Sequence, residues 1–127
     1  MRISNVYRPD VFGCQADEPL TEVAKRMMEK HVGSLAVLDD GRVIGIITER
    51  DLVAALADPP DPDDPAGLTA AANASTEIKV AHPDEDSQEV ARRMLDAGIR
   101  HLPVEEHGRM VGMVSMRDLL ALETWAP

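Results

Sequence analysis

Apolar residues recur with helical spacing in two separate stretches of the chain. Between Leu20 and Met28 they fall at i, i+3, i+4, i+7 and i+8, which predicts one face of an amphipathic helix. A second stripe, over residues 90–95, repeats that face. Asp86, three residues ahead of Glu89, resembles a capping pair at the start of the second helix. The pattern therefore predicts two long helices of one kind.

Each predicted helix is followed by two short apolar runs separated by a turn. In the first half, the runs 34–38 and 43–48 flank an Asp-Gly pair, which favours a tight hairpin turn. The second half repeats this hairpin over 101–104 and 110–115. Pro103 has no amide hydrogen to donate, so we expect its strand to lie at an edge or to pair on one side there.

Two further elements complete each half. A short extended stretch precedes each long helix, over residues 10–14 and 77–81. A short apolar helix follows each hairpin, over residues 51–56 and 118–122. The order strand, helix, strand, strand, helix is thus predicted twice.

The two halves are also copies of one another in sequence. A gap-free shift of 67 positions places residues 22–27 on 89–94 and residues 48–52 on 115–119. Such a repeat indicates two units that are each too small to bury a good core alone. We therefore expect an α/β (α+β) fold in which two pseudo-symmetric β-α-β-β-α repeats pack as one module. The expected divisions are repeat 1 over 8–57, a linker with a short helix over 58–74, and repeat 2 over 75–123.

Composition narrows the class of protein. The chain has 127 residues, enough for one domain with a core, and no apolar run long enough to cross a bilayer. A single cysteine, Cys14, excludes an internal disulfide framework and favours a reducing, cytoplasmic compartment. The net charge of −10 argues against nucleic acid as a partner. Part of that charge lies in the acidic, proline-rich residues 58–65, which we interpret as an exposed linker.

The tandem unit resembles a pair of CBS domains (named after cystathionine β-synthase), also called a Bateman module. The resemblance is carried by the Gly-x-x-Thr/Ser-x-x-Asp motifs at 45–51 and 112–118 and by the stretch 99–104, and it covers about residues 10–122. With no other domain attached, the chain is similar to the small stand-alone bacterial members. The resemblance implies a non-catalytic regulatory module, a homodimer formed through helical faces, and adenosine nucleotides (AMP, ADP or ATP) bound in clefts between the copies.

The paired motifs have two interpretations. Thr48 with Asp51, and Ser115 with Asp118, are good helix N-caps, and periodicity alone favours that role. The same groups suit a nucleotide, because a hydroxyl can bond a phosphate or ribose oxygen and a carboxylate can accept both hydroxyls of a diol. The family resemblance implies the second role, with both pairs lining related clefts.

The copies differ where the first hairpin strand begins. Arg100 and His101 of the second copy align with Gly33 and Ser34 of the first. In the family, basic residues at this point often face nucleotide phosphates, and Arg117 within the motif is a further candidate. His101 could equally be an ordinary hairpin-edge histidine, and Arg117 could lie on a solvated helix face. We expect one tight site per chain for phosphorylated ligands.

Two functions from different classes remain. The chain is either a regulatory module that senses adenosine nucleotides, with an unknown protein partner, or a non-catalytic assembly protein with vestigial clefts. An enzyme is disfavoured, since no nucleophile-elbow, Walker-type or zinc-protease motif occurs. We assign no metal site, because His31, His82 and His107 lie apart in the repeat, and we interpret Cys14 as a buried, inert thiol.

Overall fold

The computed structural model describes the backbone of residues 1–77 and 80–125, and side chains as far as residue 122. It has mixed helix and strand content, which confirms the predicted fold class. The chain divides into two compact units. We call Phe12–Lys79 the central unit, and Met1–Val11 together with Val80–Pro127 the terminal unit. Among the described residues, no helix has the length and apolar character that a membrane span requires.

The central unit contains a three-stranded sheet and three helices. The elements in chain order are β1 (Gly13–Gln15), α1 (Leu20–Lys30), β2 (Ser34–Asp39), β3 (Arg42–Thr48), α2 (Glu49–Ala57) and α3 (Ala70–Asn73). Strand β2 lies in the middle, parallel to β1 and antiparallel to β3. The exposed acidic segment follows α2, and a 3₁₀ helix, Pro65–Leu68, precedes α3.

The core of the central unit comes from one face of the sheet and one stripe of α1. Val23 and Met27 of α1 are buried against apolar residues of all three strands. The buried cluster consists of Cys14, Val23, Met27, Leu35, Val37, Ile47 and Ala70. The stripe predicted from helical spacing is therefore the buried one, although Met28 at its edge is exposed.

The terminal unit repeats the helix and hairpin. It contains α4 (Ser87–Ala97), β4 (His101–Glu106), β5 (Arg109–Ser115) and α5 (Met116–Trp125). Strands β4 and β5 pair antiparallel, and Ala81 forms a parallel bridge to Val104. The predicted capping pair of α4 is confirmed, since the Asp86 side chain accepts a hydrogen bond from the amide of Glu89.

Equivalent arginines attach the long helix to the start of each repeat. The Arg26 guanidinium donates to the Gly13 carbonyl at 2.8 Å and to Glu18 at 2.9 Å. At the corresponding place in the terminal unit, Arg93 donates to the Val80 carbonyl at 3.1 Å and to Glu85 at 2.9 Å. The repeat is thus preserved at the level of individual hydrogen bonds.

Both hairpins turn through two residues with positive φ. Asp40 and Gly41 have φ of 51° and 80°, and His107 and Gly108 have 52° and 76°. This is the left-handed backbone that a two-residue turn between twisted strands favours. The hairpin predicted from Asp-Gly is confirmed.

The first strand of each copy differs from its prediction. The stretch expected over residues 10–14 begins as β1 only at Gly13, because Arg8 is bonded to Met113 in the terminal unit and the chain crosses to the central unit after Val11. In the stretch expected over 77–81, Ala81 pairs with β4, whereas residues 78 and 79 lie outside the described residues.

Glycine in each motif permits a close approach of neighbouring backbone. A Cβ at Gly112 would lie 2.1 Å from the Arg8 carbonyl oxygen, and one at Gly45 would lie 2.8 Å from the Ser75 carbonyl oxygen. The segment ahead of each repeat therefore runs directly over a motif glycine. At both motif glycines the group that approaches closely is a backbone carbonyl.

We expect Gly112→Ala to lower the free energy of unfolding by about 1–3 kcal/mol, because the methyl group must displace the backbone at Arg8. Gly45→Ala is the matched control and should cost less, since its clash is milder. Thermal or urea melts of both variants provide the measurement. Equal losses in the two would contradict this account.

Candidate ligand-binding site

In the central unit, Thr48 and Asp51 form a reciprocal capping box at the start of α2. The Asp51 amide donates to Thr48 Oγ1 at 3.3 Å, and the Thr48 amide donates to Asp51 Oδ2 at 2.8 Å. Thr48 Oγ1 also lies 3.1 Å from Oδ2. The capping interpretation of these residues is therefore realised in the structure.

The capping box uses only half of the Asp51 carboxylate. All of its hydrogen bonds go to Oδ2, and Oδ1 accepts none from the part of the chain that the structure describes. Both Thr48 and Asp51 are partly exposed at the strand-to-helix junction. Capping and ligand binding are thus compatible here, because one carboxylate oxygen remains available as an acceptor.

In the terminal unit, the corresponding aspartate is held differently. The Ser115 hydroxyl accepts from the Asp118 amide at 3.0 Å, as in a cap. The Asp118 carboxylate turns to Arg8, whose Nε donates to Oδ2 at 3.0 Å and whose Nη2 donates to Oδ1 at 3.1 Å. Both carboxylate oxygens are therefore engaged in a two-pronged ion pair, the stronger geometry for an arginine and a carboxylate.

Arg8, the partner of the candidate site residue Asp118, is not identified by the motif analysis. It lies 110 positions from Asp118, so no local spacing connects them. One signal could have indicated it. Arg8 forms an isolated β-bridge with Met113, and Ser75 forms one with Ile46. The 67-residue shift that relates the motifs also places position 8 on position 75 and position 46 on position 113. Extending the repeat toward the N-terminus would have paired Arg8 with Ser75.

His101 and Ser115 lie opposite each other in the β4–β5 hairpin, and Asp118 follows one helical turn later. Burial and the neighbouring Arg100 lower the pKa of His101, with Asp118 acting in the opposite direction. The imidazole is thus neutral near pH 7 and offers a hydrogen bond there rather than the positive charge expected from the sequence.

Arg100 and Arg117 supply charge without a fixed position. Both side chains are exposed, and neither makes a hydrogen bond or ion pair within the described residues. The Arg100 carbonyl accepts the Met116 amide at 2.8 Å, which ties the entry of β4 to the start of α5. The backbone of Arg100 is therefore anchored beside the motif, and its guanidinium is available to a ligand.

The lowered pKa of His101 predicts a pH effect on stability. The ordinary pKa of histidine is about 6.5, and just below that pH the imidazole binds a proton more readily in the unfolded chain than in the folded one. The free energy of unfolding should therefore fall as the pH falls from about 6.5 toward the lowered pKa of His101. We expect His101→Asn to make that dependence shallower in urea melts between pH 5 and 7.5. His31→Asn, which removes an exposed imidazole, is the control, and an unchanged slope for His101→Asn would contradict the assignment.

Cys14 is buried, as the sequence interpretation expected. Desolvation, with a smaller effect of Glu18, raises its pKa to about 11. The thiol is therefore protonated at neutral pH, and its location in the core makes it a packing group.

Two of the three separated histidines come together in space. His82 and His107 line one surface pocket with Asp84, Glu105 and Glu106. His82 Nδ1 lies 3.0 Å from the Glu105 carbonyl oxygen. Among the described residues, no group of three or more histidine, cysteine or acidic side chains is arranged to hold a metal ion.

Comparison with known proteins gives consistent matches. A 17.7 kDa protein of Acidianus ambivalens is 36% identical over 120 residues, covering 93% of this chain and 70% of the relative. The chain spans 63% and 44% of the length of two further relatives, from Methanopyrus kandleri and Methanocaldococcus jannaschii.

Two solved structures match along almost their whole length. The CBS domain pair of protein MJ0100, in complex with 5′-methylthioadenosine and S-adenosyl-L-methionine, has a TM-score of 0.80 at 25% identity, with 98% of this chain and 96% of that chain covered. Hypoxic Response Protein I with two coordinated zinc ions has a TM-score of 0.80 at 28% identity, with 95% and 98% covered.

The family model of the CBS domain matches twice, over residues 3–58 and 72–123. These two matches cover most of the chain and coincide with its two sequence copies. The chain therefore belongs to the CBS domain family, as a tandem pair.

Proposed function

We propose that this chain is a regulatory binding module that takes adenosine nucleotides or related adenosine compounds. In this proposal Thr48 with Asp51 forms one ligand-binding pair and Ser115 with Asp118 the other. Arg100, His101 and Arg117 assist the second pair. Binding changes the shape or order of the module, and a partner protein responds to that change.

The observation that carries this proposal is that Asp51 Oδ1 accepts no hydrogen bond from the residues that the structure describes. A capping residue needs one acceptor oxygen, and Asp51 already meets that need through Oδ2. Oδ1 is oriented by the same box without being consumed by it. A preoriented, charged acceptor beside a hydroxyl and a helix N-terminus suits a ribose diol whose phosphate lies toward the helix.

The comparisons support the adenosine part of the proposal. The MJ0100 domain pair was solved with two ligands that each contain adenosine, and its fold matches this chain along nearly the full length. One of those ligands is neutral and the other carries a sulfonium. Adenosine compounds without phosphate are therefore candidates here beside AMP, ADP and ATP.

Thermal shift with adenosine, AMP, ADP, ATP and S-adenosyl-L-methionine tests the proposal. A ligand that binds only the folded chain adds RT ln(1 + [L]/Kd), about 2.7 kcal/mol at a hundredfold excess over Kd. Adenine without ribose serves as the control and should stabilise least. A flat response across the panel would favour the alternative, an assembly protein with vestigial sites.

We also propose that the chain forms a homodimer through its helices. In the central unit, Met28 of α1 and Val53 and Leu56 of α2 are exposed although apolar. In the terminal unit, Leu95 of α4 and Leu120 of α5 are exposed at positions equivalent to Met28 and Val53. Exposed apolar residues on the helices of each unit mark an interaction surface on that unit, and a second copy is its simplest occupant.

Two further expectations, on the cellular compartment and on the class of partner, remain predictions. The single cysteine favours a reducing, cytoplasmic compartment. The net charge of −10 disfavours nucleic acid as the partner.

A further inference from the structure

The two repeats hold their motif aspartates in different states. Asp51 Oδ1 accepts no hydrogen bond from the described part of the chain, whereas both oxygens of Asp118 accept from Arg8. A ribose that needs the carboxylate as acceptor meets an open group in the central unit and an occupied one in the terminal unit. The difference originates in one residue, because positions 8 and 75 are equivalent in the repeat and carry arginine and serine.

Arg8 combines a fixed backbone with a movable side chain. Its amide donates to the Met113 carbonyl at 2.9 Å, and its carbonyl accepts the Met113 amide at 2.8 Å. Its side chain is 67% exposed, while the Asp118 side chain beneath it is 16% exposed. The guanidinium can therefore leave Asp118 without breaking buried contacts. Because the backbone of Arg8 stays bonded to Met113, the guanidinium remains within a side chain's length of the motif.

The surroundings of Asp118 already carry positive charge. Arg100 is close enough to His101 to lower the pKa of the imidazole, and its guanidinium is not paired with any described residue. When Arg8 leaves Asp118, its guanidinium becomes available to a ligand, as is that of Arg100, whose backbone is bonded to Met116 at the start of α5. Arginine pairs with phosphate through the same fork that it uses with carboxylate.

We propose that Arg8 determines which ligand charge the terminal unit accepts. Its guanidinium occupies the Asp118 carboxylate and so disfavours the binding of neutral adenosine compounds. A phosphorylated ligand binds because its phosphates pair with the Arg8 guanidinium, which leaves the carboxylate available to the ribose. The central unit, with Ser75 at the equivalent position, accepts neutral adenosine compounds. This selectivity rests on the function proposed above and adds a specificity-determining residue to it.

The exchange follows from charge balance. A neutral ligand that occupies Asp118 leaves the Arg8 guanidinium without a partner, so its binding bears the whole cost of breaking the pair. A phosphorylated ligand supplies a replacement partner for Arg8 and a first partner for Arg100. Affinity for ATP over adenosine should therefore be high at Asp118 and low at Asp51.

Calorimetric titration with ATP and adenosine tests the proposal in an Asp51→Asn background, where the site at Asp118 dominates. Arg8→Ser should strengthen adenosine binding and weaken ATP binding, so that the ratio of the two affinities falls at least about tenfold. The reciprocal variant, Ser75→Arg in an Asp118→Asn background, should raise that ratio. Thermal melts confirm that each variant is folded.

Arg2→Ser is the matched control, because it removes the same charge from the N-terminal segment at an exposed residue without a contact to Asp118. It should leave the affinity ratio unchanged. If Arg8→Ser alters both affinities equally, or neither, the selectivity proposal fails while the binding function stands. If neither ligand binds the unsubstituted chain or any variant, the proposed function itself fails.

Discussion

The combined substitution Val53→Glu and Leu56→Glu is expected to convert the proposed homodimer into a monomer. Both side chains lie on α2 and are 63% and 82% exposed within one chain. In a two-fold interface each substitution acts twice, so the variant places four carboxylates where four apolar side chains would be buried. Burying a valine or leucine contributes about 1.5–3 kcal/mol, and an unpaired charge costs more than that gain.

Sedimentation velocity at micromolar concentration measures the outcome. Val11→Glu is the control, since it makes the same change at an exposed apolar residue outside the helices and should retain the dimer. Because α2 contains no buried residue, the substitutions should leave the fold intact, which circular dichroism can check. A dimer that survives in the double variant would place the interface elsewhere, and a monomeric wild type would exclude the dimer.

Asp51→Asn is expected to weaken adenosine binding at least about tenfold while leaving stability nearly unchanged. The asparagine oxygen can still accept from the Thr48 amide, so the cap survives. The variant loses the charge, and an amide NH2 donor replaces the acceptor oxygen Oδ1 that would face the ribose diol. Hydrogen bonds to a charged acceptor contribute about 1.5–3 kcal/mol, which sets the size of the effect. Calorimetry and thermal melts on the same preparation give both quantities.

The comparison with 2′-deoxyadenosine sharpens this prediction. A ligand that lacks one hydroxyl of the diol should bind the wild type more weakly, and Asp51→Asn should affect it less than it affects adenosine. Asp51→Ala removes the cap as well and should cost about 0.5–2 kcal/mol of stability. If Asp51 serves only as a cap, Asp51→Asn should change neither binding nor stability, and only Asp51→Ala should be destabilising.

Local chemistry explains which parts of the fold could be predicted from the sequence. The first hairpin follows from an Asp-Gly pair between β-branched runs, and the α4 cap from Asp86 three residues before Glu89. The long helices follow from the spacing of apolar residues. Each of these signals lies within a few residues of the structure that it specifies.

The contacts that distinguish the two motifs could not be predicted in that way. The pair between Arg8 and Asp118 joins residues from opposite ends of the chain, and the strand pairing that sets it up is a single bridge at Met113. The lowered pKa of His101 depends on burial and on a neighbouring guanidinium, both of which are tertiary properties. The motifs in the sequence identify the candidate binding groups, whereas long-range contacts determine which of these groups are available to a ligand.

The discontinuous makeup of the terminal unit has a consequence for the order of folding. The central unit is one unbroken stretch, so its sheet and α1 can assemble as soon as residues 12–79 have left the ribosome. Residues 1–11 are made first, yet they must wait for residues 80 onward before they can pair with β5. Closing so long a loop costs entropy that grows with the logarithm of its length, and contacts of this range slow folding. Formation of the pair between Arg8 and Asp118 is therefore a late event in folding.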